Sequence, residues 1–234
     1  MNLLTRGSII LLIELLAEFL VTGTEGASLQ SIGVKNTLYE LPGLGNRPVL
    51  IKTIPGIENY RSDIFEVYME PYLQDLNTRV AVVLLQGVAD SGVAGELMLV
   101  QQDPPFGPTL ITGNVTGLPA GKHGLHVHQS GDLRQGCEKI GGHFNPYLLR
   151  HGAPFDPIRH VGDLGNIEAG EGGAIEIKFV DALISLTGGP RGVVGRSVAI
   201  STNEDDLGVA GTADSLLDGQ SGKPLACGVI AYAR

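Results

Sequence analysis

Ile175, Ile177 and Phe179 alternate with Glu176 and Lys178, a period of two that suits a half-buried β-strand and no helix. Short apolar runs of strand length fill the chain from Thr78 onward. They are Arg79–Gln86, Gly95–Gln101, Thr109–Val115, His123–His128, Ser197–Ser201 and Gly228–Ala233, with a turn at Asp90-Ser91-Gly92 after the first. Thirty-four glycines and no tryptophan favour tight turns over long helices. Seven or eight short strands separated by Gly, Pro, Asn and Asp predict an all-β antiparallel sandwich or barrel. Two segments, Ser130–Asn166 and Asn203–Ala226, do not fit strands, and loops of that length are as a rule functional.

The region before residue 78 reads differently. Over residues 27–77, Pro42, Pro48, Pro55 and Pro71 break any long element, so an irregular N-terminal extension or linker is expected. Asp63–Tyr72 is predicted as a short helix, with Asp63 as cap and Glu66 three residues on. Residues 1–26 have the layout of a signal peptide: Arg6, then apolar Ile9–Val21, then small residues around Thr22–Ala27. The apolar stretch is too short to span a bilayer, so no membrane span is expected. Glu14 and Glu18, four apart, fit an amphipathic helix with an acidic stripe instead. Secretion is therefore the expectation, with the cytoplasm as the alternative. The sequon Asn114-Val115-Thr116 agrees with secretion. A net charge of −9 argues against nucleic acid, whose phosphates need clustered Lys and Arg. No Gly-rich phosphate loop is present.

His126 and His128 stand two apart in a strand, so both point to one face and can grip one metal. His123 has the opposite parity and is read as structural. His143, His151, His160 and Asp163 lie in the first long segment. Three imidazoles and one carboxylate make a four-ligand tetrahedral set suited to zinc. Cys137 and Cys227 are the only cysteines, and two readings are open. They form one disulfide, which would close a loop of about 90 residues and contribute about 4–5 kcal/mol before strain, or they are two buried thiols.

Residues 78–234 resemble copper/zinc superoxide dismutase. The resemblance rests on Gly124-Leu-His-Val-His128, Gly131-Asp132, Gly136-Cys137, Gly142-His-Phe-Asn-Pro146, Arg159-His-Val-Gly-Asp-Leu-Gly-Asn166, Asp205-Asp-Leu-Gly208 and Leu225-Ala-Cys-Gly-Val-Ile230. It implies an eight-stranded Greek-key β-barrel with two long functional loops. It also implies copper ligands at His126, His128 and His143, and zinc ligands at His143, His151, His160 and Asp163, with His143 bridging. Asp205 corresponds to an aspartate that hydrogen-bonds histidines of both sites. The resemblance further implies a Cys137–Cys227 disulfide and a homodimer whose apolar patch would include Val194, Gly195 and Tyr232, with Arg134 placing a charge nearby.

Two departures bear on function. Ser201 stands where the family has a fourth copper histidine, and a serine hydroxyl is a poor copper ligand beside imidazole. Pro224 stands where the family has an anion-guiding arginine. The family's steering lysines fall at Val209 and Leu217. The second loop keeps Lys223 as its one cation against Asp205, Asp206, Asp214 and Asp218. Losing such a funnel lowers anion capture roughly 10- to 1,000-fold. The expectation is a zinc-binding, superoxide dismutase-like protein with a weakened copper site and little or no dismutase activity. The alternative is an active enzyme converting superoxide to oxygen and hydrogen peroxide. A copper chaperone of the same family would carry a Cys-x-x-Cys transfer domain, and this chain has none.

Overall fold

Along Arg79–Gly87 every second side chain is buried: Ala81, Val83 and Leu85 enter a core, while Leu84 and Gln86 face outward. That alternation, repeated strand by strand, builds the fold. A computed structural model of the chain describes residues 35–41, 47–54, 64–69, 78–89, 91–105 and 107–233.

The first three strands, β1 (Lys35–Leu41), β2 (Arg47–Ile54) and β3 (Ile64–Met69), form an antiparallel sheet in the order β1-β2-β3. The expected helix over Asp63–Tyr72 is therefore wrong: Ile64–Met69 is a strand paired to β2 from Ile54↔Ile64 to Val49↔Met69. Ile64, Phe65, Val67 and Tyr68 are β-branched or aromatic, and a neighbouring strand to pair with outweighs one capping residue. The extension is also less irregular than its prolines suggest. β1 ends one residue before Pro42 and β2 one residue before Pro55, where a missing N–H does no harm. The signal-like residues 1–26 lie outside the described residues.

Eight more strands make one antiparallel sheet: β4 (Arg79–Gly87), β5 (Ala94–Gln101), β6 (Thr109–Thr116), β7 (Gly121–His128), β8 (Asp163–Ala169), β9 (Ile175–Asp181), β10 (Ser197–Ser201) and β11 (Pro224–Tyr232). Their order is β8-β7-β10-β11-β4-β5-β6-β9. The edge strands β8 and β9 are consecutive in the chain, so the sheet curls into a nearly closed Greek-key barrel. β8 occupies residues that the sequence pattern assigned partly to a loop. Leu97, Leu99, Ile111, Val115, Leu125, Val127, Val198, Ile200 and Ile230 fill the interior. No helix among the described residues is long and apolar enough to cross a membrane.

β10, and β7 from His123 onward, are buried on both faces. Leu125, Val127, Val198 and Ile200 point into the barrel. By strand parity, His126, His128, Ser197, Ala199 and Ser201 share the outer face. The register pairs Ala199 with His126 and Ser197 with His128. Two long connections cover this face. The first, residues 129–162, is fastened by a Cys137–Cys227 disulfide with a Cα–Cα distance of 5.7 Å, which decides between bridge and thiols. Cys137, Ile140, Ala199 and Cys227 form a small second core beneath it. Arg196 donates from Nη1 to the Gln129 carbonyl (2.6 Å), and Ser197 Oγ donates to the Ser130 carbonyl (2.7 Å). The second connection, residues 202–223, carries the short helix α1 (Ala213–Asp218), capped by the Thr212 side chain and ended by left-handed Gly219.

Candidate metal centre

Two residues apart on β7, His126 and His128 project from one face, as the parity argument expects, and the covering loops bring His143, His151 and His160 over them. The His143 ring lies at the centre of the array. Its centroid is 3.8 Å from that of His126, 5.3 Å from those of His128 and His151, and 5.6 Å from that of His160. The ligand atoms of His126, His143, His151 and Asp163 all lie within 4.8 Å of one another. His128 and His160 flank this tight group on opposite sides.

Each ring has one nitrogen committed to a protein acceptor. His126 Nε2–H donates to Asp205 Oδ2 (2.9 Å), and His151 Nε2–H donates to Asp205 Oδ1 (2.7 Å). His128 Nδ1–H donates to the Gly141 carbonyl (2.8 Å), and His160 Nε2–H to the Leu149 carbonyl (3.0 Å). The other nitrogens, His126 Nδ1, His128 Nε2, His151 Nδ1 and His160 Nδ1, are buried and hydrogen-bonded to nothing. His151 Nδ1 and His160 Nδ1 come within 3.0 and 3.2 Å of Asp163 without the alignment of a hydrogen bond. An unsatisfied buried nitrogen costs about 1–3 kcal/mol, and four of them converging identify a cation site rather than a polar core. The residues present therefore fit a metal, with one nitrogen on each of these rings left without a hydrogen-bond partner.

Burial keeps His126, His128 and His143 neutral, the form that binds a metal. Burial, with the neighbouring His143, pulls His128 down to about 4. Burial and the adjacent His126 do the same to His143, against the opposing pull of Asp163. Burial lowers His126 too, more than its bond to Asp205 raises it. His151 differs: burial lowers it, but its hydrogen bond to Asp205 and the two nearby carboxylates, Asp163 and Asp205, outweigh burial and hold it at about 10, so a metal at Nδ1 would displace a proton. Burial would raise both carboxylates, yet the imidazole contacts keep Asp163 and Asp205 below the usual carboxylate range.

Asp205 sits where the sequence placed it, bridging His126 and His151. His123 points away, its two ring nitrogens against the Ser201 and Pro119 carbonyls (2.9 and 3.0 Å). Several contributors were not singled out as site residues in the sequence. Asn166 holds the Asp205 backbone reciprocally, donating from Nδ2 to its carbonyl (2.7 Å) and accepting its N–H (2.8 Å). Arg159, fully inside, donates to the Asp163 carbonyl (2.6 Å) and pairs with Asp181. Gly219 leaves room that a Cβ would take, 1.9 Å from Asp205 Oδ1. The Asn166 and Arg159 positions lie in a motif whose residue types hint at a role. The Gly141 and Leu149 carbonyls are backbone atoms and give none.

Ser201 and Pro224 are cross-strand partners. They line a cavity of about 330 Å³ with His128, His143, Glu138 and Lys223. The Ser201 side chain makes no hydrogen bond with a described residue, although the residue is only 3% exposed. Lys223 Nζ leans toward Glu138 (3.4 Å). Asp218 lines the same cavity.

Residues 93–230 match a family model described as copper/zinc superoxide dismutase (SODC). A curated protein of Ramazzottius varieornatus named "Superoxide dismutase [Cu-Zn]" is 46% identical over 157 residues, 66% of this chain and 80% of that protein.

Proposed function

Since the chain belongs to the copper/zinc superoxide dismutase family, we propose that it is a metal-binding member with a complete zinc site and a copper site short of one imidazole, and that it turns over superoxide weakly or not at all. Zinc is assigned to His143, His151, His160 and Asp163, a closed four-ligand set. Copper is assigned to His126, His128 and His143. The observation that carries this reading is the set of four buried nitrogens without partners, two of them on a face where Ser201 lines a cavity. His151 Nδ1 and His160 Nδ1 face Asp163, whereas His126 Nδ1 and His128 Nε2 share their strand face with Ser201 instead of a fourth ring.

Copper, when bound, supplies the one-electron exchange by which two superoxide anions and two protons become oxygen and hydrogen peroxide. The chain's own residues set what it can do with that chemistry. Asp205 and the Gly141 carbonyl fix which nitrogen of His126 and His128 is free. Pro224 has no cation to orient a small anion, and the one nearby ammonium, Lys223, is shared with Glu138. Steering is therefore lost at the cavity mouth as well as at the ligand.

The second reading, an active dismutase in a superoxide-metabolising, antioxidant role, draws on the cavity beside His128 and His143, which a small anion could enter. One experiment separates the two. The full-length protein and Ser201→His are loaded with zinc and copper, metal content is measured, and superoxide decay is followed with free copper chelated. The proposed reading expects zinc near one equivalent in both proteins. It also expects copper retained poorly by the wild type and far faster decay with Ser201→His. Near diffusion-limited decay with the wild type would establish the active reading instead.

Secretion, with residues 1–26 as a cleaved leader, and homodimer formation through Val194, Gly195 and Tyr232 complete the proposal. Tyr232 is half exposed while its hydroxyl donates to the Leu186 carbonyl (2.6 Å), which holds the ring at the barrel surface. Secretion assays and sedimentation of the purified protein test these two points.

A further inference from the structure

The copper-side face holds two imidazoles with free nitrogens, His126 Nδ1 and His128 Nε2, and a third ring, His143, packed against them. Beyond them on β10 lies Ser201, two residues from Ala199, the cross-strand partner of His126. The residue is 3% exposed, and its side chain makes no hydrogen bond with a described residue and lines the cavity. A volume of about 330 Å³ falls within the size range of small-molecule sites, roughly 300–1,000 Å³.

The chain has no histidine left to fill this place. It has six, five stand in the array, and the sixth, His123, holds both ring nitrogens against backbone carbonyls. Nor can the backbone close the space. The Ser201 carbonyl is held by His123, and Ser201 is paired with Pro224 in the sheet. Core residues Val198 and Ile200 fix the strand from the other side. A nitrogen donor for this position must come from outside the chain.

Charge selects the kind of donor. Glu138 and Asp218 supply two carboxylates at the cavity wall, and Lys223 supplies one ammonium that leans toward Glu138. The wall adds no attraction for an anion beyond that of the bound copper itself, and it costs a neutral ring nothing. Ser201 Oγ offers an acceptor to the N–H that a neutral azole presents on its far side.

We propose that the space beside Ser201 is a binding site for an external neutral azole, which takes the place of the missing imidazole next to His126, His128 and His143. This rests on the copper assignment given under the proposed function. Imidazole is the probe. Zinc-loaded full-length protein receives one equivalent of copper(II). Imidazole is then titrated while the copper visible band and electron paramagnetic resonance spectrum are recorded. Copper retention against a chelator is measured with and without imidazole.

The expected result is a saturable shift of both spectra in the wild type, with slower loss of copper to the chelator. Ser201→Ala, which keeps the space and removes the hydroxyl, retains the shift. Ser201→His, which fills the space from within, shows none. Azide, an anion of comparable size, competes more weakly than imidazole. No saturable shift in the wild type overturns the inference, as does an equal shift in Ser201→His or a failure of imidazole to improve retention. Equal or tighter azide binding overturns the neutral class of ligand. The underlying copper assignment fails on a different measurement: wild type holding copper as firmly as Ser201→His before any imidazole is added.

Discussion

Asp205→Asn removes one charge and leaves the shape of the side chain almost unchanged, so it isolates what the carboxylate does. Asp205 is fully buried and takes an N–H from His126 Nε2 (2.9 Å), one from His151 Nε2 (2.7 Å) and one from the Leu207 backbone (2.7 Å). By holding both Nε2 protons, it leaves Nδ1 of both rings free for metal. An amide has one oxygen to accept and one NH2 to donate. It satisfies one ring and faces the other donor to donor, or it forces that ring to its other tautomer, with the proton on Nδ1. The tautomer switch disables one ligand nitrogen, and the donor-to-donor contact leaves one ring without the acceptor that orients it. A bond to a charged group contributes about 1.5–3 kcal/mol. Loss of such an orienting partner lowers metal affinity roughly 10- to 100-fold, which is about 1.4–2.8 kcal/mol.

Zinc and copper affinities should be measured separately, by competition with chromophoric chelators at one fixed pH. At least one metal is expected to fall by roughly 10- to 100-fold in Asp205→Asn. Which metal suffers reports which ring the amide oxygen keeps. The control is Glu204→Gln, one residue away, where the carboxylate forms an exposed pair with Lys122 (2.8 Å) and touches no imidazole. It should leave both affinities near wild type, because exposed pairs contribute little. Unchanged affinity for both metals in Asp205→Asn would refute the argument that this carboxylate sets the tautomers.

Asp163→Ala should abolish zinc binding and loosen residues 129–162, read as faster amide exchange there, because Asp163 also holds the Gly152 and His160 N–H groups (3.2 and 2.8 Å). Unchanged zinc content would rule out the assignment. Reducing Cys137–Cys227 should lower stability by up to about 4–5 kcal/mol and shift the melting temperature down. Two titrating thiols in oxidised, denatured protein would contradict the bridge. In a Ser201→His background, Pro224→Arg should raise the superoxide decay rate and make it salt-sensitive, since steering is screened by ions. A rate independent of ionic strength would mean that the charge at this position guides nothing.

The barrel was legible where one face of a strand is buried and the other wet. β4 and β9 show it, with Ala81, Val83 and Leu85, and with Ile175, Ile177 and Phe179, on single faces. β8 escaped the same test because its first four residues are Asp163, Leu164, Gly165 and Asn166: a metal-ligand candidate, a glycine at positive φ and a side chain that holds Asp205. Function has overwritten the alternation there. β3 was misread because a capping signal is local, whereas pairing with β2 is not. In the site, the spacing of His126 and His128 declared itself through the two-residue period. The carbonyls of Gly141 and Leu149 could not, because any residue type supplies a carbonyl and only loop closure decides which one arrives.

The two halves of the centre are tied to the fold unequally, and on the proposed reading this is how a chain could lose a copper ligand and keep its zinc set. Position 201 lies in a strand whose neighbours Val198 and Ile200 are anchored in the barrel core. Its backbone is fixed by His123 and by Pro224. A serine there removes an imidazole and leaves every strand contact in place. His151 and His160 on the proposed zinc side lie outside any strand. His151 is held through its backbone N–H on the Leu216 carbonyl (2.9 Å) and its ring on Asp205. His160 is held through Asp163 and the Leu149 carbonyl. Replacing any of these leaves buried donors and acceptors without partners at about 1–3 kcal/mol each, in loops held besides by the disulfide, the small second core, and Phe144 and Val161 in the barrel core. On the proposed reading, zinc is part of what folds the first loop, whereas copper is a guest on strands already made. A substitution at Ser201 therefore subtracts chemistry without subtracting structure. The same reasoning predicts that zinc removal lowers the melting temperature of this protein and that copper removal leaves it nearly unchanged, which calorimetry on the two metal-depleted forms would decide.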